Sequence, residues 1–246
     1  MNFKRILLYL IVLFVSLFLH FYCYAEEFNL CDGFLYKDIP IQIQNLMVGN
    51  SYKENEYIKI EDLRLCKVLY IGFDGQEHEG ELIVAYKVES PINGETINIA
   101  KEVLEIFHEM YKAKYPIDKI RLVDYYGADD ELVMRDNNSS AFNFRYINDT
   151  KDISWHSYGL AIDINPFVNP CFHLNSKFIE PDGSEKFLDR GLEQLGLIKE
   201  GDACYKAFTS RGWEWGGLWT DKADYMHFQK FPRYVSKPAS KYRIIS

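Results

Sequence analysis

Two rhythms of apolar and polar positions run along the chain, separated by turn residues. Residues 67–73, KVLYIGF, and 76–88, QEHEGELIVAYKV, are rich in β-branched and aromatic side chains and flank Asp74-Gly75, a pattern that predicts a β-hairpin. Over residues 95–116 the period changes. Ile99, Val103, Ile106 and Met110 recur at helical spacing, and Pro116 ends the segment. IRLVDYYG (120–127) reads as a strand, and the polar, turn-rich stretch 128–152 reads as a long loop, a feature more often functional than idle in a compact domain. GLAIDINP (159–166) predicts a short buried strand stopped by Pro166. KFLDRGLEQLGLI (186–198) predicts a short amphipathic helix, and YMHFQKF (225–231) a last strand. Residues 26–60 are of mixed character, and there are no repeats or heptads. Strands and helices without a regular βαβ alternation point to an α+β fold.

The first 25 residues change this picture. Lys4 and Arg5 precede an apolar run from Ile6 to about Phe21, and Cys23-Tyr24-Ala25 offers small residues at the positions a leader protease reads. That order predicts a secretory signal peptide over 1–25, with an uncleaved membrane anchor as the alternative. Cleavage at Ala25 leaves 221 residues, enough for one domain with a sizeable core, with 26 basic against 36 acidic side chains and a net charge of −10. So acidic a chain, with no Lys/Arg cluster, argues against nucleic acid as a partner. Four cysteines remain: Cys31, Cys66, Cys171 and Cys204. In an exported chain they suggest disulfides, with Cys31–Cys66 and Cys171–Cys204 as the pairing expected; no CxxC pair suggests a zinc ribbon.

Candidate chemistry gathers in two segments. SWHSYGLAIDINP carries His156 and Asp163, and WEWGGLWTDKADYMHFQ carries Asp224 and His227. Either alone fits a hydrogen-bonded His–Asp pair in a core. Together they fit a hydrolytic metal site, which needs about three N/O ligands, an open position and a carboxylate to take a proton from water. His156 and Asp163 lie seven apart, an odd spacing that would put them on opposite faces of a regular strand, and Gly159 between them permits the bend that reunites them. In YMHFQ, Tyr225, His227 and Gln229 share one face, while Met226 and Phe228 share the other. Asp224, one residue before the strand, is placed to serve as a general base.

The remaining candidates are weaker. His108 stands in HEMYK, where Lys112 occupies the position of a second zincin histidine, so that motif fails. His78 is expected to face solvent, and His173 to be a surface residue or a minor substrate contact. Trp213, Trp215 and Trp219 read as core. Walker A, GxGxxG and GxSxG patterns are absent.

The motif Ser154-x-His156-x-x-Gly159-x-Ala161-x-Asp163, followed by Asp224-x-x-His227, resembles the VanY-type D-alanyl-D-alanine carboxypeptidases. That zinc metallopeptidase family also includes L-alanyl-D-glutamate endopeptidases, and its fold is shared with the hedgehog signalling domain. Gly80-Glu81-Leu82-Ile83-Val84, Asn137-Asn138-Ser139-Ser140-Ala141-Phe142-Asn143-x-Arg145 and Gly212-Trp213-x-Trp215-Gly216-Gly217 extend the likeness. The resemblance implies a single domain of the hedgehog/DD-peptidase type over residues 63–232, with a central, mostly antiparallel sheet flanked by helices. An extension over 26–62 would precede it and a tail over 233–246 would follow it.

The resemblance further implies one zinc ion held by His156, Asp163 and His227, with Asp224 as catalytic base, Arg145 steadying the scissile carbonyl and Ser154 contacting substrate. The implied substrate is the stem peptide of peptidoglycan, cleaved at D-Ala–D-Ala or at L-Ala–D-Glu by an exported monomer. A non-catalytic, zinc-stabilised binding domain of the same fold is the alternative. Cys171 departs from the family, which commonly places an aromatic residue after Asn169-Pro170.

Overall fold

A computed structural model of the chain describes residues 26–147 and 152–231. The leader expected over 1–25 and the tail over 233–246 lie outside the described residues. Among the described residues no helix is long and apolar enough to cross a membrane.

The predicted hairpin is the centre of the largest sheet. Strands β3 (Leu63–Ile71) and β4 (Glu77–Ala85) pair antiparallel without interruption from Leu63↔Ala85 to Ile71↔Glu77. Their turn is closed by the Asp74 carboxylate, which accepts from the Gln76 amide at 3.0 Å. Strands β1 (Glu27–Cys31) and β2 (Phe34–Lys37) extend this sheet in the order β1-β2-β3-β4, so residues ahead of 63 share its hydrogen bonding. A short helix α1 (Ile41–Met47) and an irregular stretch lead back to β3.

The main helix, α2 (Ile99–Lys112), packs against β3 and buries Val103, Leu104, Ile106, Phe107 and Met110 among others. It begins at Ile99 because Thr96–Asn98 forms a strand, β6, that pairs with β5 (Lys87–Glu89). Asn98 then caps the helix, its side-chain oxygen accepting from the Lys101 amide at 2.9 Å, an arrangement typically worth ~1 kcal/mol.

Two small antiparallel sheets build the second half. In one, β9 (Ala161–Asp163), β12 (Glu214–Trp215) and β14 (His227–Gln229) run in the order β12-β14-β9. In the other, β10 (Cys171–His173), β11 (Ile179–Glu180) and β13 (Lys222–Asp224) run in the order β11-β10-β13. The architecture is α+β with mostly antiparallel sheets, as the sequence pattern indicated. Trp213 and Trp215 are buried in the core, also as expected, whereas Trp219, read as core as well, is only half-buried.

Three expected elements differ. IRLVDYYG is strand only at its start, where β7 (Lys119–Ile120) runs parallel to β8 (Asn138–Ser139); Val123–Tyr126 is a 3-10 turn. The buried Asp124 carboxylate accepts from the Ser51 amide at 3.2 Å and its hydroxyl at 3.0 Å, and these bonds replace a strand ladder. The polar stretch after it contains a helix, α3 (Asp130–Arg135). Asp129 caps it, acids fill its first turn and Arg135 its last, in accord with the helix dipole. Conversely, KFLDRGLEQLGLI forms only a 3-10 turn at Glu185–Leu188. Arg190 donates to the carbonyls of Val168, Phe187 and Ile198, so the segment wraps around a guanidinium rather than coiling on itself. The helix of this region comes later, α4 (Ala203–Thr209), capped by Asp202 accepting from the Tyr205 amide at 2.7 Å.

The disulfide pairing expected from the sequence is corrected. Cys31, Cys66, Cys171 and Cys204 are all free. β2 lies between the strands that carry Cys31 and Cys66. Cys204, in α4, packs against the Tyr115 hydroxyl, whereas Cys171 faces His173. Each thiol points to a different neighbour.

Gly159 joins the two halves. Its φ is +65°, its carbonyl accepts from the Ala85 amide at the end of β4 at 3.0 Å, and a Cβ there would stand 2.4 Å from that nitrogen. Gly159→Ala therefore combines left-handed backbone strain with a backbone clash and is expected to cost roughly 3 kcal/mol or more, lowering the thermal midpoint by about 6–12 °C. Gly201→Ala, with a φ of +83° but open space around it, should cost far less. Thermal unfolding of both variants checks the difference.

Candidate metal centre

Local backbone geometry delivers the three predicted ligands. His156 sits in a 3-10 turn, Trp155–Tyr158, whose N-cap is Ser154; the Ser154 hydroxyl oxygen accepts from the His156 amide at 3.3 Å. Gly159 closes the turn in the left-handed conformation, with its amide bonded to the His156 carbonyl at 3.0 Å, and the chain enters β9. The seven-residue spacing is thus absorbed by a turn plus a strand. Asp163 ends β9 directly opposite His227 of β14, in the register His227↔Asp163, Phe228↔Ile162 and Gln229↔Ala161. Phe228 and Ile162 point the other way into the core, leaving His227 and Asp163 on the site face.

The ligand atoms converge. His156 Nε2 lies 3.2 Å from His227 Nδ1 and 3.2 Å from one Asp163 oxygen; the other Asp163 oxygen lies 3.1 Å from His227 Nδ1. Donors ~2.0–2.1 Å from a tetrahedral zinc ion stand ~3.3 Å apart, close to the edges of this triangle.

The hydrogen bonds behind the rings decide which atoms face inward. His156 Nδ1 is 2.6 Å from the Ala141 carbonyl, which can only accept, so that nitrogen carries the proton and Nε2 presents a lone pair in the neutral ring. Gln229 donates its amide hydrogens to the Phe231 carbonyl at 2.6 Å and to Glu214 at 3.3 Å, which turns its oxygen toward His227 Nε2 at 3.2 Å. His227 Nε2 is therefore the protonated nitrogen, and Nδ1 presents its lone pair. Two lone pairs and a carboxylate facing one another require a cation among them, either a shared proton or a metal. The donor chemistry fits a metal of the zinc class. In the shared-proton state, burial pushes the Asp163 pKa up, yet the charge of a protonated His156 and the hydrogen bonds from the histidines outweigh it and hold the carboxyl well below the usual range. Burial likewise opposes protonation of His156, but Asp163 prevails and raises its pKa.

The other predicted residues surround this set with partners of their own. Asp224 is buried in β13, opposite Cys171 of β10, and accepts from Lys222 Nζ at 2.7 Å. Lys222 in turn lies 5.1 Å over the Trp219 ring, whose centroid is 5.4 Å from that of His227. Arg145 pairs with Asp130 in the first turn of α3, and its charge works against protonation of His156. Its backbone is tied to the His156 turn through Ser157, whose hydroxyl bonds both the Arg145 amide and carbonyl at 2.8 Å. Ser154 serves as the cap of that turn. His78 is exposed beside Asp74, and His108 is half-buried against Phe34; neither joins the set. His173 lies instead with Cys171 and Glu180.

Sequence reasoning missed the Ala141 carbonyl, the orienting role of Gln229, Lys222 and Asp130. For Gln229 a signal existed, since alternation in YMHFQ already put it on the face of His227. The partners of Asp224 and Arg145 depend on tertiary neighbours that no periodicity encodes.

Residues 148–230 match the family described as D-alanyl-D-alanine carboxypeptidase, and this match places the segment, about one third of the chain, among the VanY-like peptidases. His156, Asp163, Asp224 and His227 fall within it; Arg145 lies just ahead of it. No curated protein and no solved structure matches the chain.

Gln229 supplies a direct check on the tautomer argument. Gln229→Leu removes the oxygen that holds His227 and should weaken binding of a divalent metal by about 10–100-fold, with the far-ultraviolet circular dichroism little changed. Competition against a chelating indicator measures it.

Proposed function

We propose that the chain is an exported zinc peptidase that removes the terminal D-alanine from peptidoglycan stem peptides. The observation that carries this reading is the triangle of two imidazole lone pairs and one carboxylate with edges of 3.1–3.2 Å, lying inside the segment that matches the carboxypeptidase family. His156, Asp163 and His227 would hold one zinc ion per chain. When bound, zinc supplies Lewis acidity toward a carbonyl and toward water. Asp224 takes a proton from the attacking water and returns it to the departing amine, a role typically worth about 10²–10⁴-fold. Arg145 donates toward the carbonyl oxygen as charge develops on it, typically worth about 10²–10³-fold. Ser154 holds the His156 turn in place and lines the approach of the substrate. Demand for a D-residue would spare ordinary proteins, which suits an enzyme released beyond the cell membrane by a leader over residues 1–25 and acting as a monomer without nucleic-acid partners.

Mass spectrometry of defined muropeptides after incubation with the purified, zinc-loaded protein tests the reaction. Loss of one alanine supports the carboxypeptidase. Release at L-Ala–D-Glu would instead make it the related endopeptidase, and zinc without any cleavage would make it a binding domain. His156→Ala should abolish zinc binding, read by elemental analysis, whereas Asp224→Asn should keep the zinc and lose at least about 10²-fold in turnover. Retained activity in Asp224→Asn would remove that residue from the mechanism.

A further inference from the structure

A second group of ligand-type side chains stands on the sheet formed by β10, β11 and β13. Cys171 pairs across to Glu180 on one side and to Asp224 on the other, and His173, two residues along β10, shares its face. His173 Nε2 lies 3.6 Å from Cys171 Sγ and 3.3 Å from Glu180 Oε2, and the three ligand atoms lie within 4.8 Å of one another. For a tetrahedral zinc ion with bonds of ~2.3 Å to sulfur and ~2.0–2.1 Å to nitrogen and oxygen, the S···N and N···O edges are ~3.6 Å and ~3.3 Å. Both observed edges agree. An ordinary surface His–Glu pair does not explain why the imidazole nitrogen faces a buried thiol at the same time.

We propose that Cys171, His173 and Glu180 form a second site for a borderline-soft divalent cation of the zinc class. The donor set suits such a cation, because thiolate and imidazole select against magnesium and calcium. Cys171 is buried, whereas His173 and Glu180 are about one third exposed, so the site has a floor and an entrance. On binding, the Cys171 S–H bond breaks and its proton passes to solvent as the metal–sulfur bond forms; no electron changes hands. Asp224 lies directly across the strand pairing from Cys171 and touches its thiol, so a cation held by Cys171 stands beside that carboxylate. Resting on the proposed role of Asp224, this coupling makes the second site inhibitory, since a cation beside the carboxylate lowers its basicity and weakens its pull on a proton from water.

The test is titration of the metal-free, reduced full chain with cobalt(II), followed by absorption and by equilibrium dialysis. Two equivalents should bind, and one should bring the near-ultraviolet charge-transfer band of a cobalt–thiolate bond, which the His156/Asp163/His227 set cannot produce because it contains no sulfur. Cys171→Ser and, on the more exposed side, His173→Ala should each lose that band and one equivalent. His156→Ala should lose the other equivalent and keep the band. Saturation at one equivalent without the band, or two equivalents without it, would overturn the second site whatever the first one does. Loss of the band in His156→Ala would place the thiolate in the first site and also overturn the proposal. In the kinetic arm, zinc beyond one equivalent should lower D-Ala release by the wild type, but not lower His173→Ala below its own one-equivalent rate. Equal inhibition of both would remove the coupling to Asp224.

Discussion

Two imidazole nitrogens and a carboxylate directed at one point form the constraint around which this half of the molecule is arranged. None of the three inward-facing groups carries a proton in its neutral-imidazole, ionised-carboxylate form, so their approach to 3.1–3.2 Å is tolerable only with a cation between them. The protein cannot relieve the repulsion by rotating a ring. Ala141 fixes one imidazole and Gln229 fixes the other. Gln229 is itself held by the Phe231 carbonyl and Glu214, so the orientation is determined two bonds deep.

That arrangement demands a rigid frame, and the frame is backbone pairing. Asp163 and His227 are opposed by strand register, and Asp163 is further pinned by reciprocal amide bonds with Ser140 at 2.9 and 3.0 Å. His156 arrives from the other direction on a single capped turn. Gly159 is the joint, because its missing Cβ lets the turn dock against Ala85 at the end of the large sheet. The hairpin of β3 and β4 therefore contributes no ligand but sets the position of one.

Much of this was legible in residues 67–112 and 154–229, where hydrophobic period and turn chemistry agree. The DG hairpin, the helix stripe at Ile99, Val103, Ile106 and Met110, and the two-faced YMHFQ strand all follow from local rules. The His156–Asp163 spacing was legible as a problem with Gly159 as its solution. What was illegible depends on partners distant in sequence. Asp124 leaves its strand for Ser51, 73 residues away, and Arg190 donates to the Phe187 and Ile198 carbonyls at the two ends of the expected helix and to that of Val168 outside it. The cysteines show the same limit. Their even number suggested pairing, but pairing needs converging Cβ vectors, and the fold sends each thiol elsewhere.

The two aspartates of the paired motifs show why residue type underdetermines role. Asp163 and Asp224 each lie near a histidine in sequence, and each is shielded from solvent. Asp163 faces two imidazoles, whose charge and hydrogen bonds, when a proton is present in the site, hold it anionic, one carboxylate oxygen toward each ring. Asp224 faces an ammonium and a thiol, on a separate sheet whose strand β13 is joined to β14 by the turn at Tyr225 and Met226. The first environment needs a cation, a shared proton or a metal, to be electrically complete, whereas the second is complete already through Lys222. A carboxylate with its charge so balanced is under no obligation to bind a cation, in keeping with the general-base role proposed for it. The division of labour proposed for the aspartates thus follows from which strand faces which, a property of register rather than of either motif alone.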